Sequence, residues 1–249
     1  MTLIDKFNKI CLDFQTKKEN EIKKVERIRK PKINCNENYF ETIDTPAKSY
    51  YLGFIAGDGS IDDKDNTLII GLAIKDEQFL VDFLKEIDSD HSIYKTKNFL
   101  KKTQKTYEGR RIKICRPKIV ADLTKHGVGP NKSKELSISP TIPENLICHY
   151  IRGIIDSDGC WSVDKKNCIS CSFLSSIYSF AKEISTVLIR ECNLNDVKIQ
   201  KRPGCFETEW GGNIQCKRIY DYLYSEGGPY LQRKFDKSTN HFNSLKIQP

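Results

Sequence analysis

The chain has 249 residues, 38% hydrophobic and 30% charged, which is enough apolar material for one large folded unit or two of ordinary size. Forty-one Lys and Arg against 33 Asp and Glu leave a formal charge of +8, favouring a polyanionic partner over an acidic or neutral small substrate. No stretch approaches a membrane span, and the first residues carry neither an apolar run nor a small-residue cleavage site, so an intracellular protein is expected.

Residues 1–32 are charged and helix-prone, and Pro31 ends any helix there. Residues 33–44 resemble a linker, so 1–44 reads as a basic N-terminal segment that either contacts phosphates or stays solvated. From Thr45 the pattern is ordered: Thr45 suits an N-cap, Pro46 suits the first helical position, and the run to Asp58 closes at Gly59, a residue fitted to a left-handed helix end. A strand pair around 66–75, a helix over 77–87, two strands and a helix over 118–126 follow.

A second copy starts at Pro143 and runs through Tyr150, Ile151, Ile154 and Ile155 to Asp158 and Gly159. It continues with a strand pair around 167–175, a helix over 177–192, two strands and a helix over 217–225. Each half therefore reads αββαββα. The fold class expected is mixed α/β: two repeats with antiparallel sheets, 45–140 and 141–249 with a C-terminal tail, paired about a pseudo-twofold axis.

Ten cysteines are scattered singly and read as thiols. Only Cys168 and Cys171 have metal-ligand spacing, and a strand would turn them to opposite faces.

Gly53 and Gly153, Asp58 and Asp158, and Gly59 and Gly159 are each 100 residues apart, which marks an internal duplication. Gly53 and Gly57 share one helix face, as do Gly153 and Ser157, so the two helices can approach closely with Asp58 and Asp158 near one another at their carboxyl ends. The helix dipole and mutual repulsion both oppose ionisation of these aspartates, so a cation must offset them. Mg2+ suits the place, because it takes carboxylate oxygens, keeps several waters and bridges to phosphate. A single Asp-Gly only ends a helix; its duplication beside a small-residue face points to chemistry.

The stretches LGFIAGDGS and RGIIDSDGC resemble the two motifs of the LAGLIDADG homing endonucleases, and the likeness spans about residues 45 to 240. It implies a monomer, with no membrane association and no obligate protein partner, that hydrolyses both strands of double-stranded DNA at a long nonpalindromic target. It also implies that Asp58 and Asp158 bind Mg2+ or Mn2+, helped by the carbonyls of Gly57 and Ser157. A lysine near each centre would act on water or charge; Lys132 and Lys234 occupy comparable places, with Lys134 and Arg233 as neighbours. Ala56 replaces an aspartate that the second motif keeps as Asp156, at a position that is not the usual metal ligand. The Gln frequent after the first hairpin is missing, its region holding Ile74, Lys75 and Asp76 in one half and Ser172 and Ser175 in the other.

For seating a duplex, Lys198, Gln200 and Arg202 alternate with Val197 and Ile199, and Lys95 with Lys97 and Arg111 with Lys113 offer similar pairs. Trp210 would either touch DNA or cover a satellite core. Two other functions fit the same features: a DNA-binding regulator or maturase that does not cut, and a metal-dependent RNA-processing enzyme.

Overall fold

The computed structural model describes residues 33–100, 104–130, 132 and 134–245, so the segment 1–32 lies outside it. From Cys35 onward the described chain forms one compact unit. Its first half runs α1 (Pro46–Asp58), β1 (Gly59–Asp62), β2 (Thr67–Ala73), α2 (Glu77–Glu86), β3 (Tyr94–Leu100), β4 (Lys105–Cys115) and α3 (Pro117–Lys125). The second runs α4 (Ile147–Asp158), β5 (Gly159–Val163), β6 (Ile169–Ser175), α5 (Tyr178–Cys192), β7 (Gln200–Arg202), β8 (Cys205–Gly211) and α6 (Asn213–Tyr224), followed by α7 (Gln232–Leu245). The strands form two four-stranded antiparallel sheets, ordered β1-β2-β4-β3 and β5-β6-β8-β7, as the mixed α/β reading expects.

Alternation along the strands gives each sheet one dry face. In the first, Leu68 faces Ile114 and Ile70 faces Ile112, all fully buried. In the second, Trp161, Cys171 and Trp210 form a row across three strands. Trp210 is thus a core residue, which settles its open role against DNA contact.

The helices α1 and α4 are buried on every side: from Ser49 to Ala56 and from Cys148 to Asp156 no residue reaches solvent. A helix with no solvent-facing stripe belongs at the centre of a fold, and α4 keeps that place although it buries His149, Arg152 and Asp156. Thr45 Oγ1 accepts the Lys48 amide at 3.3 Å and Pro46 sits in the first turn, so α1 starts where its cap residues place it. A 3-10 turn over Glu144–Leu146 precedes α4, and Ser49 Oγ donates to the Leu146 carbonyl at 2.7 Å, tying the two starts together.

Glycine sets how near the two helices lie. A Cβ on Gly53 would fall on the Tyr150 carbonyl oxygen, and one on Gly153 would fall on the Tyr50 carbonyl oxygen and within 2.5 Å of the Phe54 nitrogen. The expectation for Gly59 and Gly159 needs correction: their φ values are −72° and −93°, extended rather than left-handed. Both lead straight into a strand, and the glycine is required because a Cβ would lie 2.6 Å from the carbonyl oxygen of Ile55 or Ile155.

The sequence reading also passed over α7 as a helix. Its buried positions, Lys234, Ser238, His241 and Phe242, have helical spacing, but three of the four are polar, so apolar periodicity is faint. No helix among the described residues is long and apolar enough to cross a membrane.

Because the obstructing atoms are backbone, Gly153→Ala is expected to cost about 3 kcal/mol or more in urea unfolding. Gly211→Ala, whose Cβ would meet nothing within 4 Å, is the matched control and should stay within about 0.5 kcal/mol of the parent.

Candidate functional site

Side-by-side packing brings the last turns of α1 and α4 together. A Cβ on Gly57 would collide with Ser157 Oγ and lie 2.9 Å from Asp158 Oδ2, so the Asp158 carboxylate reaches across to the end of the other helix. Both aspartates are open to solvent on one side and crowded by protein on the other. That crowding raises the Asp58 carboxyl above its ordinary range, against the pull of Lys234, Lys132 and Arg233. Asp158 is pushed up to about 6, first by crowding and then by the charge of Asp58. Among the described residues neither carboxylate accepts a hydrogen bond or forms an ion pair, although two lysines stand nearby.

Those lysines hold the helix ends. Lys132 Nζ donates to the carbonyls of Ile55, at 2.7 Å, Ala56 and Gly57. Lys234 Nζ donates to those of Ile155, Ser157 and Gly159 at 2.9, 3.1 and 2.6 Å. Each ammonium therefore sits at the negative end of a helix dipole, adding a second donor to the Ile55 or Ile155 carbonyl, which also accepts the amide of Gly59 or Gly159, and bonding the carbonyls that follow. Burial lowers both amines, Lys132 to about 8, against the opposing pull of Asp158 and Asp58 on Lys132 and of Asp156 and Asp58 on Lys234. Lys132 is the stronger cationic neighbour of Asp158, and Lys234 of Asp58. Each lysine thus anchors the helix of its own half.

The Gly57 and Ser157 carbonyls, expected to help hold a metal, each accept a hydrogen bond from one of these ammonium groups. It also separates the neighbouring basic residues. Lys134 is an exposed surface side chain, whereas Arg233 Nε donates to both oxygens of buried Asp76, at 2.9 and 3.0 Å. Asp76, from the end of the first hairpin, thereby pins the first turn of α7 beside the centre.

Asp156 has a different role from its motif neighbour. Fully buried, it accepts from Tyr50 Oη at 2.9 Å, Tyr224 Oη at 3.2 Å and the Leu231 amide at 2.7 Å. Arg152, also fully buried, lies over the same two tyrosine rings and donates to the Leu223 and Gly227 carbonyls, both at 2.7 Å. This cluster positions the chain just before α7, and hence Arg233 and Lys234.

Beside the centre a cleft of about 300 Å³ is lined by Gly57, Lys132, Asp158, Ser175 and Ser176 among others. The sheet faces turned away from the core differ between halves. In the first sheet, register places Arg111 and Lys113 on that open face, whereas Lys95 and Lys97 pair with Arg110 and Glu108 on the opposite one. The two pairs therefore do not share a surface, because their strands are offset by one residue in parity. In the second sheet, Ser170, Ser172, Glu207 and Glu209 occupy the open face. Gln200 pairs with Glu207 there, Arg202 Nε donates to Glu207 Oε2 at 2.6 Å, and Lys198 is exposed just before the strand.

No family model and no curated protein matches the chain. Solved structures do. The homing endonuclease I-WcaI bound to its DNA recognition sequence is 14% identical, with a TM-score of 0.53 over 80% of this chain and 91% of that one. The I-LtrWI LAGLIDADG homing endonuclease bound to target DNA is 13% identical, with a TM-score of 0.51 over 86% and 92%. Full-length DUF199/WhiA from Thermatoga maritima is 15% identical, with a TM-score of 0.51 over 88% and 69%. The chain therefore has the LAGLIDADG homing-endonuclease fold.

Replacing Asp156 with alanine would strand two buried hydroxyls, an amide and the Arg152 charge. Its expected cost is about 3–5 kcal/mol of unfolding free energy, read by denaturant titration.

Proposed function

We propose that the chain is a site-specific endonuclease that hydrolyses double-stranded DNA with divalent metal. On this reading it works as a monomer in which 45–140 and 141–249 are the two repeats. The observation that carries it is the pair Asp58 and Asp158: two carboxylates at adjoining helix ends, free of ion pairs among the described residues, with half-buried Lys132 and buried Lys234 bonded to the same helix ends.

The donor set fits a hard cation. Carboxylate oxygens that lack a protein partner and repel one another are the ligands Mg2+ or Mn2+ takes, whereas imidazole or thiolate groups would be wanted for a softer ion. Asp58 and Asp158 would hold the metal, which supplies Lewis-acid stabilisation of a phosphate oxygen and of the attacking water. Lys132 and Lys234 keep the helix ends from repelling the carboxylates' charge and present a second positive surface to a phosphate. The Arg233 and Asp76 pair fixes the turn from which Lys234 projects. Arg111 and Lys113 supply the basic open face that would meet the backbone of a duplex, and the unlike face of the second sheet suits a target without twofold symmetry.

The deciding experiment incubates the purified chain with Mg2+ and a randomised duplex library. Asp58→Asn and Asp158→Asn should each lower cleavage by roughly a thousandfold, equivalent to about 4 kcal/mol of lost transition-state stabilisation, with binding retained. Sequence-specific binding without any metal-dependent cut would instead favour the regulator, and preference for RNA the processing enzyme.

Two further outcomes follow from the lysines and the open face. Lys132→Met and Lys234→Met should each slow cleavage about tenfold to a hundredfold at unchanged DNA affinity, measured in single turnover. Joint replacement of Arg111 and Lys113 by alanine should weaken binding to all duplexes alike and flatten the salt dependence by about two phosphate contacts.

A further inference from the structure

On the opposite end of α4 from Asp158, its first turn meets the loop after α6. There Cys148 Sγ, a ring nitrogen of His149 and a carboxylate oxygen of Glu226 all lie within 4.8 Å of one another. His149 is 1% exposed, yet neither of its ring nitrogens has a hydrogen-bond partner among the described residues. Its Nε2 stands 3.5 Å from Glu226 Oε2, long for a hydrogen bond. Leaving an imidazole buried with both nitrogens unsatisfied is costly, and such a group calls for an occupant.

We propose that Cys148, His149 and Glu226 bind one transition-metal ion of the zinc class, at a site separate from the paired aspartates. The ligand set is the borderline-soft mixture of thiolate, imidazole and carboxylate that zinc accepts, and Mg2+ does not. Two light-atom ligands about 2.1 Å from a tetrahedral ion are about 3.4 Å apart, close to the spacing between the His149 and Glu226 atoms. Glu226 has 67% of its side chain exposed, so a rotamer change there closes the remaining gap at little cost. Cys148 Sγ gives up only a 3.9 Å contact with the Asn145 carbonyl.

A cleft of about 570 Å³ opens beside the cluster, with Glu226, Glu144, Glu191 and Arg190 on its walls, the arginine pairing with Glu191 at 2.6 Å, so an ion has an entry path that ends on the one carboxylate Arg190 does not pair with. It leaves a fourth position for water. A second positive group, Arg152, lies one turn further along α4 and is turned onto the Leu223 and Gly227 carbonyls rather than into the cluster. The ion would tie the start of α4 to the loop that carries Gly227 and leads to Arg233 and Lys234. It therefore braces the segment that brings a lysine to the second helix end.

The test uses cobalt as the probe in the full chain carrying Asp58→Asn and Asp158→Asn, which keeps metal away from those carboxylates. A thiolate-to-cobalt charge-transfer absorption saturating at one ion per chain is expected. Cys148→Ser should abolish it, and Glu226→Gln, a change on an exposed side chain that leaves the fold intact, should weaken cobalt binding at least about tenfold. Added zinc should raise the melting temperature of the Asp variant but not of the same chain with Cys148→Ser. Absence of the absorption, or its survival after Cys148→Ser through exposed Cys115, Cys160 or Cys168, would overturn the proposal.

Discussion

Backbone-to-backbone contact between α1 and α4 is the constraint on which everything else rests. Side chains normally hold helix axes about 8–10 Å apart. Here Gly53 and Gly153 remove the spacer at the two places where each helix meets a carbonyl of the other, at Tyr150 and Tyr50. The contact is reciprocal, so it fixes a twofold relation between the halves as well as a distance. Once the axes are set, the positions of the last turns follow, and with them the separation of Asp58 and Asp158. The sheets hang from the same helices through Gly59 and Gly159, whose lack of a side chain lets each strand leave the helix at once.

Such packing creates an electrostatic problem at the helix ends, where two dipoles and two carboxylates converge. The protein answers it locally with Lys132 and Lys234 on the terminal carbonyls. These ammonium groups bond the terminal carbonyls and, among the described residues, leave the Asp58 and Asp158 carboxylates without ion pairs, so the helix ends are stabilised through the backbone rather than by neutralising the side chains.

Much of this was legible in the chain itself. Identical spacing of Gly53, Asp58 and Gly59 with their counterparts 100 residues on identifies the paired helices, because helix faces depend only on spacing. Strand alternation likewise predicts the dry faces of both sheets. What escaped are features decided by long-range partners. Nothing local tells that Trp210 faces inward, that Asp76 meets Arg233, or that His149 approaches Glu226, since these partners lie 157 and 77 residues apart for the last two. The outward face of a ribbon also depends on register, so Lys95 and Lys97 could not be separated from Arg111 and Lys113 by composition. The polar buried stripe of α7 hides its helix for a similar reason: its partners are carbonyls and an asparagine, not apolar surface.

The two motif helices are alike in their glycines but not in their interiors. Arg152 and Asp156 occupy the places that Leu52 and Ala56 hold 100 residues earlier, and all four are buried. Arg152 is held by the Leu223 and Gly227 carbonyls and Asp156 by Tyr50, Tyr224 and the Leu231 amide, so each polar group depends on partners that only its own surroundings supply. Neither helix can therefore stand in for the other: an assembly of two identical halves would carry this polar cluster twice or not at all, and exchanging the two helices would strand buried polar groups in the middle of the core.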